Sequence, residues 1–111
     1  MSAVENVEYA IIQPLQSKSS SFTSFYLPVN QCESVTIQLT TSSSSSLSAK
    51  VEIEGSIDGD SWSPLKGTFT DIVSDVTLIF SLSDIKSLGY VRATVTISAG
   101  SAIFYIIGRA V

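Results

Sequence analysis

Apolar and polar residues alternate along most of this chain. Val35, Ile37 and Leu39 are interleaved with Thr36, Gln38 and Thr40, Val51 and Ile53 with Glu52 and Glu54, and Val91, Ala93, Val95 and Ile97 with Arg92, Thr94, Thr96 and Ser98. Successive side chains of an extended strand point to opposite faces, so each run predicts a strand with one buried face. Val76, Leu78, Phe80 and Leu82 alternate in the same way, although Ile79 breaks the polar side. Ser21 to Val29 is rich enough in β-branched and aromatic residues to predict a further strand.

Two segments depart from strict alternation. Ala102 to Ile107, AIFYII, is a continuous apolar run of strand length. Such a run predicts cover on both faces, by the chain's own core on one side and by a neighbouring subunit on the other, which makes Ile103, Phe104, Tyr105, Ile106 and Ile107 the leading interface candidates. Glu8 to Gln13 predicts an N-terminal strand closed by Pro14, because proline cannot donate to a ladder.

The breaks between runs are as informative. Ser42 to Ser46 is a serine run without an apolar anchor and predicts a loop or hairpin tip, with sheet patterning resuming over Leu47 to Lys50. Ser83 to Leu88, SDIKSL, predicts a single turn capped by Ser or Asp and ended by Gly89. No segment offers the ten or so helically patterned residues that a crossover helix needs. The expected fold is therefore all-β: one antiparallel, jelly-roll-like β-sandwich of about seven to nine strands. A single domain over residues 1–111 is expected, with 1–16 as an N-terminal arm or edge strand.

Composition narrows the class of partner. Only 14% of the 111 residues are charged while 44% are hydrophobic, against about 25% charged in ordinary soluble domains. A surface so poor in charge is expected to meet other protein, and a homo-oligomer fits that expectation. The net charge of −4, with six basic residues scattered singly, leaves no basic stripe for nucleic acid and no polybasic segment for a membrane. Cys32 is the lone cysteine, so neither an intrachain disulfide nor a cysteine-based zinc site is expected. Glu5 and Glu8 sit where a signal peptide would carry positive charge, which predicts synthesis and assembly in a cytoplasm.

Catalysis is disfavoured by elimination. With no histidine in the chain, a Ser-His-Asp triad, a Cys-His pair and a histidine-ligated metal are excluded. Glu52 and Glu54 fall on the polar face of one strand, where solvation explains them without a glycosidase pair. Phosphate-cradling glycine patterns do not occur, and no cofactor is expected. Asp58 and Asp60 are spaced like the first ligands of a calcium loop, but the later oxygen donors and the closing Glu are missing. The alternative is an Asx turn in which Gly59 takes a positive φ.

Trp62, just past that turn, admits two readings. It can cover the end of the core, or it can stack on sugar rings together with Tyr90 as a glycan platform.

The string EGSIDGDSWSPL, followed later by DIKSLGYVRATVTISAG and a closing strand ending IIGRA, resembles a β-sandwich domain that recurs in virion proteins of tailed bacteriophages. The residues that carry the resemblance are Gly55, Ser56, Asp58, Gly59, Trp62, Tyr90, Arg92 and Gly100, over about the second half of the chain. Ile57 departs from the Asn or Asp common in that family. Similar corners occur in discoidin-like and other sugar-binding sandwiches, so the corner marks a way of turning a strand rather than an activity. The resemblance implies a non-enzymatic virion protein, first a capsid decoration or cement protein contacting major capsid or connector proteins. The alternatives are a neck, tail or fibre component, or a glycan-binding adhesin module.

Overall fold

The computed structural model describes residues 10–43, 46–65 and 67–111. Among the described residues ten strands follow one another: β1 (Ala10–Lys18), β2 (Phe22–Thr23), β3 (Leu27–Pro28), β4 (Ser34–Ser43), β5 (Ser48–Ser56), β6 (Ser63–Pro64), β7 (Thr70–Ile72), β8 (Val76–Ser83), β9 (Tyr90–Ala99) and β10 (Ala102–Ala110). They form two antiparallel sheets, one ordered β1-β10-β4-β8 and the other β2-β9-β5-β6, with β3 also on β9 and β7 also on β5. Merging β2 with β3 and β6 with β7, which share their partner strands, leaves eight strand positions in the order of a double-sheet jelly roll. Three of the ten strands are only two residues long, which is why pattern alone suggests fewer.

The alternating runs bury the side chains they should. Val35, Ile37 and Leu39 of β4, Val51 and Ile53 of β5, Val91, Ala93 and Val95 of β9, and Phe104 and Ile106 of β10 fill the space between the sheets. Each fully buried aliphatic side chain contributes about 1.5–3 kcal/mol relative to exposure. Phe22 meets Phe104 edge-on, with ring centroids 5.1 Å apart. Cys32 is a small member of this core, and burial pushes its thiol pKa up.

Several local expectations are corrected. Pro14 does not end the first strand: β1 continues to Lys18, with register shifts against β10 between Ile11 and Gln13 and between Gln13 and Gln16. An edge strand tolerates this, because a proline at a bulge removes no needed ladder bond. The described part of 1–16 pairs with β10 of its own chain; residues 1–9, including the start of the expected arm, lie outside the described residues. Ser21 to Val29 is not one strand. Ser24 Oγ accepts from Ala93 N (2.9 Å), whereas Phe25 N donates to Ile12 O of the opposite sheet (2.8 Å), so the chain leaves β9 between β2 and β3.

The serine run divides: β4 extends to Ser43, residues 44–45 lie outside the described residues, and β5 begins in the other sheet, making this a crossover loop rather than a hairpin tip. Over Ser83 to Leu88 the chain makes a turn closed by Leu88 N to Ile85 O (2.9 Å). Gly89 does not act there as a left-handed cap. A Cβ on it would run into the Ile57 carbonyl oxygen, so the small residue is required by close backbone approach.

Candidate functional site

The corner after β5 is held by one carboxylate oxygen. Asp58 Oδ1 accepts hydrogen bonds from Asp60 N (2.8 Å), Ser61 N (2.9 Å) and Ser56 Oγ (3.0 Å), while Ser56 Oγ accepts from Gly59 N (2.8 Å). Gly59 has φ +80°, and Gly55 sits under Leu65 and Leu88. These contacts make an Asx turn, which answers for the Asp58-Gly59 spacing without a ligand. Among the described residues no three His, Cys, Asp or Glu side chains come together.

The hydrogen bonds hold the Asp58 carboxyl below its ordinary pKa, the Ser61 and Asp60 amides first and Ser56 after them. A carboxylate whose pKa is lower in the native state stabilises the fold above its unfolded pKa, near 4, and loses that contribution as pH falls through the depressed native value. Asp58→Ala should therefore lower the thermal midpoint at neutral pH. The gap to the wild type should narrow as pH is taken below about 4, which a pH series of melting curves would read.

Trp62 does not cover the end of the core. It lies on the outer face of the β2-β9-β5-β6 sheet, half-buried, with the Arg92 guanidinium carbon 4.1 Å from its ring centroid. Arg92 is held there by Glu54, Nε to Oε1 2.8 Å, and the same oxygen accepts from Thr94 Oγ1 at 2.8 Å. The pairing follows from register, since Glu54 and Arg92 are cross-strand partners on β5 and β9. Tyr26 joins the group, its ring centroid 6.2 Å from Trp62 and 4.9 Å from Tyr90. Tyr26 thus bridges Trp62 and Tyr90, and Arg92 and Glu54 complete the group. Alternation in the sequence turns Glu54 and Arg92 outward on their own strands, but their partnership needs the pairing of β5 with β9. Because Arg92 covers one indole face, Tyr26, 53% exposed, is the ring most open to solvent.

The outer face of the other sheet has a different chemistry. On β10 the AIFYII run divides by parity: Phe104 and Ile106 are fully buried core, whereas Ile103, Tyr105 and Ile107 point outward and retain exposure. Phe104 and Ile106 are thus removed from the interface candidates, since an inward side chain of a sandwich cannot also meet a neighbour. Registers extend the outward set into a row, Ile11 on β1 opposite Ile107, Ile107 opposite Gln38 on β4, and Gln38 opposite Ile79 on β8. Ile11 and Ile79 are 53% and 62% exposed. The flanking outward positions on β4 and β8 are Thr36, Thr40, Thr77 and Ser81, and Arg109 is the one charged side chain in the outward registers of β4, β8 and β10. A shallow depression of about 300 Å³ lies over Thr36, Gln38, Ile107, Gly108 and Arg109. The charged outward residues of the opposite face, Lys50, Glu52, Glu54 and Arg92, make the contrast.

No protein-family model matches this chain, and no curated protein matches it in sequence. Solved structures share the fold. The SPBc2 prophage-derived protein YomS is 14% identical with a TM-score of 0.66, covering 92% of this chain and 91% of its own. VP2 of infectious bursal disease virus, from a subviral particle, is 13% identical with a TM-score of 0.65 over 96% of this chain. The Clostridium thermocellum xylanase 10B CBM22-1-GH10 modules are 6% identical with a TM-score of 0.53 over 97% of it. This chain spans 32% of the VP2 chain and 27% of the xylanase chain. The chain is thus similar to a prophage-derived protein over nearly its whole length, and to one part of VP2 of a viral particle, in its all-β sandwich fold.

Proposed function

We propose that this chain is a non-catalytic virion structural protein, a capsid decoration or cement protein that acts by burying the outer face of its β1-β10-β4-β8 sheet against major capsid or connector protein. The observation that carries the reading is that face: Ile11, Ile79, Ile103, Tyr105 and Ile107 share it, with Arg109 as the one charge in its central registers, in a chain whose net charge of −4 is therefore carried elsewhere. Ile103, Tyr105 and Ile107 run along β10 with Ile11 beside them on β1, while Ile79 lies beyond Gln38, and an apolar patch of this kind marks a site of association. Four strands about 4.8 Å apart and some nine residues long offer roughly 570 Å² in projection. That approaches the roughly 800 Å² per partner of a standard interface, and many symmetric copies multiply such contacts. The phage-virion resemblance of the corner and of the YVR strand supports the same reading, as does fold likeness to a prophage-derived protein and to VP2 of a viral particle. Particles assembled without the protein, mixed with it and sedimented, test it. Saturable co-sedimentation is expected, and a chain that stays in the supernatant overturns the reading. Labelling the bound protein for microscopy then separates a capsid position from neck, tail or fibre.

A second reading, glycan binding, is favoured by one observation, the grouping of Tyr26, Trp62 and Tyr90 on one surface. Aromatic faces beside polar groups suit sugar stacking. Trp62 is the sole tryptophan, so saccharide titration should change its fluorescence saturably in the wild type and not in Tyr26→Ala. A flat titration removes this reading.

A further inference from the structure

The four edges of the two sheets are not alike. One edge of the β2-β9-β5-β6 sheet is made by β2 and β3, two residues each, and the other by β6 and β7, of two and three residues. The β1 edge carries Pro14 and two register shifts. Short strands, proline and bulges are the usual means of preventing edge-to-edge pairing. β8 has none of them: Val76–Ser83, VTLIFSLS, is eight residues without a charge, proline or glycine, and its register with β4 is unbroken.

The backbone phase of β8 follows from the far side of β4. Ser34 and Val111 exchange both backbone hydrogen bonds, Ser34 N to Val111 O and Val111 N to Ser34 O, each 3.1 Å. Even-numbered β4 residues therefore face β10, and odd-numbered ones face β8. Their partners on β8 are Val76, Leu78, Phe80 and Leu82. The amides and carbonyls of Thr77, Ile79 and Ser81 accordingly turn to the edge that no strand among the described residues covers.

We infer that β8 pairs antiparallel with β8 of a second copy of this chain across a two-fold axis at Ile79. In that register Ile79 meets Ile79, Thr77 meets Ser81, Leu78 meets Phe80 and Val76 meets Leu82. Inward residues thus meet inward residues and outward meet outward, as sheet parity demands. Thr77, Ile79 and Ser81 supply about six inter-chain hydrogen bonds. The acidic residues that flank the strand do not oppose each other, because Asp75 falls opposite Ser83 and Asp84 opposite Ser74. Asp84, at φ +58°, turns the chain off the ladder where the pairing ends. The partly exposed Val76, Leu78, Phe80 and Leu82 gain cover from the second copy. The pairing stands on the edge alone. If the proposed docking face is also correct, the joined sheet of eight strands roughly doubles that face, to about 1,100 Å² in projection.

Light scattering on the full chain should give twice its mass. Ser81→Pro, which removes one edge-facing N–H and no bond to β4, should return a single-chain mass with the fold retained. Under oxidising conditions Ile79→Cys should form a covalent dimer, since a directly opposed pair has Cα atoms about 5.5 Å apart. Thr77→Cys and Ser81→Cys should cross-link only when mixed. A single-chain mass for the wild type, a double mass that survives in folded Ser81→Pro, or equal self-cross-linking at 77 and 79 would each overturn the pairing. Particle binding by the dimer, or its loss in Ile107→Lys with the mass unchanged, reports on the docking face instead.

Discussion

Phe104→Ala should cost about 3–5 kcal/mol of unfolding free energy, a third or more of the stability of a typical domain at about 10 kcal/mol. Phe104 is 0% exposed, stands on β10 between the two sheets, and its ring meets Phe22 edge-on. Truncation removes the transfer free energy of the ring and leaves a cavity that strands held on both sides cannot close, since β10 is paired with β1 and β4 along its length. Ile107→Lys, three residues on, outward-pointing and half-buried, should cost much less, about 1 kcal/mol. Urea unfolding of the pair measures the difference. Similar losses for both would mean that the outward row is structural rather than a free face.

Gly100→Ala carries the second large effect. Gly100 lies between β9 and β10, where the chain passes from one sheet to the other in two residues, and its φ is +78°. An L-residue in that conformation costs about 1–2 kcal/mol. A Cβ there would also run into the Ser46 carbonyl oxygen, a backbone atom that cannot swing aside. We expect a loss of at least about 2 kcal/mol, read as a fall in thermal midpoint of roughly 8 °C or more for a domain of this size. Gly67→Ala provides the control, because its φ is also +80° but no atom lies within 4 Å of the added Cβ. The excess of the first loss over the second isolates the clash from the backbone strain.

The sequence discloses strand parity far better than it discloses arrangement. Val35-Ile37-Leu39 and Val91-Ala93-Val95 could be assigned to the core because a period of two leaves little choice of face. That β10 lies between β1 and β4, and β9 beside β5, depends on pairings between residues far apart in the chain, which no local pattern contains. The break in Ser21 to Val29 was hidden for a related reason: Phe25 N finds its acceptor on Ile12, a residue of the opposite sheet. AIFYII read as one apolar strand covered on both sides. Its sheet position shows instead that Phe104 and Ile106 serve the core and that only Ile103, Tyr105 and Ile107 remain for a partner. The Asp58 turn was legible because its hydrogen bonds span three residues. Tyr26 could not be placed beside Trp62 without the fold, since they are joined only by the way β3 and β6 flank β9 and β5.

The two outer faces give the account its testable shape, because one sheet turns charge outward and the other turns isoleucine outward. Placing a charge at Ile107 alters the apolar row and the adjoining depression without entering the core, whereas Tyr26→Ala alters only the aromatic group on the opposite sheet. The most direct measurement is the heat resistance of particles assembled without the protein, after adding back wild type, Ile107→Lys or Tyr26→Ala. Wild type and Tyr26→Ala should raise the disassembly temperature equally, and folded Ile107→Lys should not. Protection by Ile107→Lys together with its loss in Tyr26→Ala would contradict this, and would move the working surface to the other sheet.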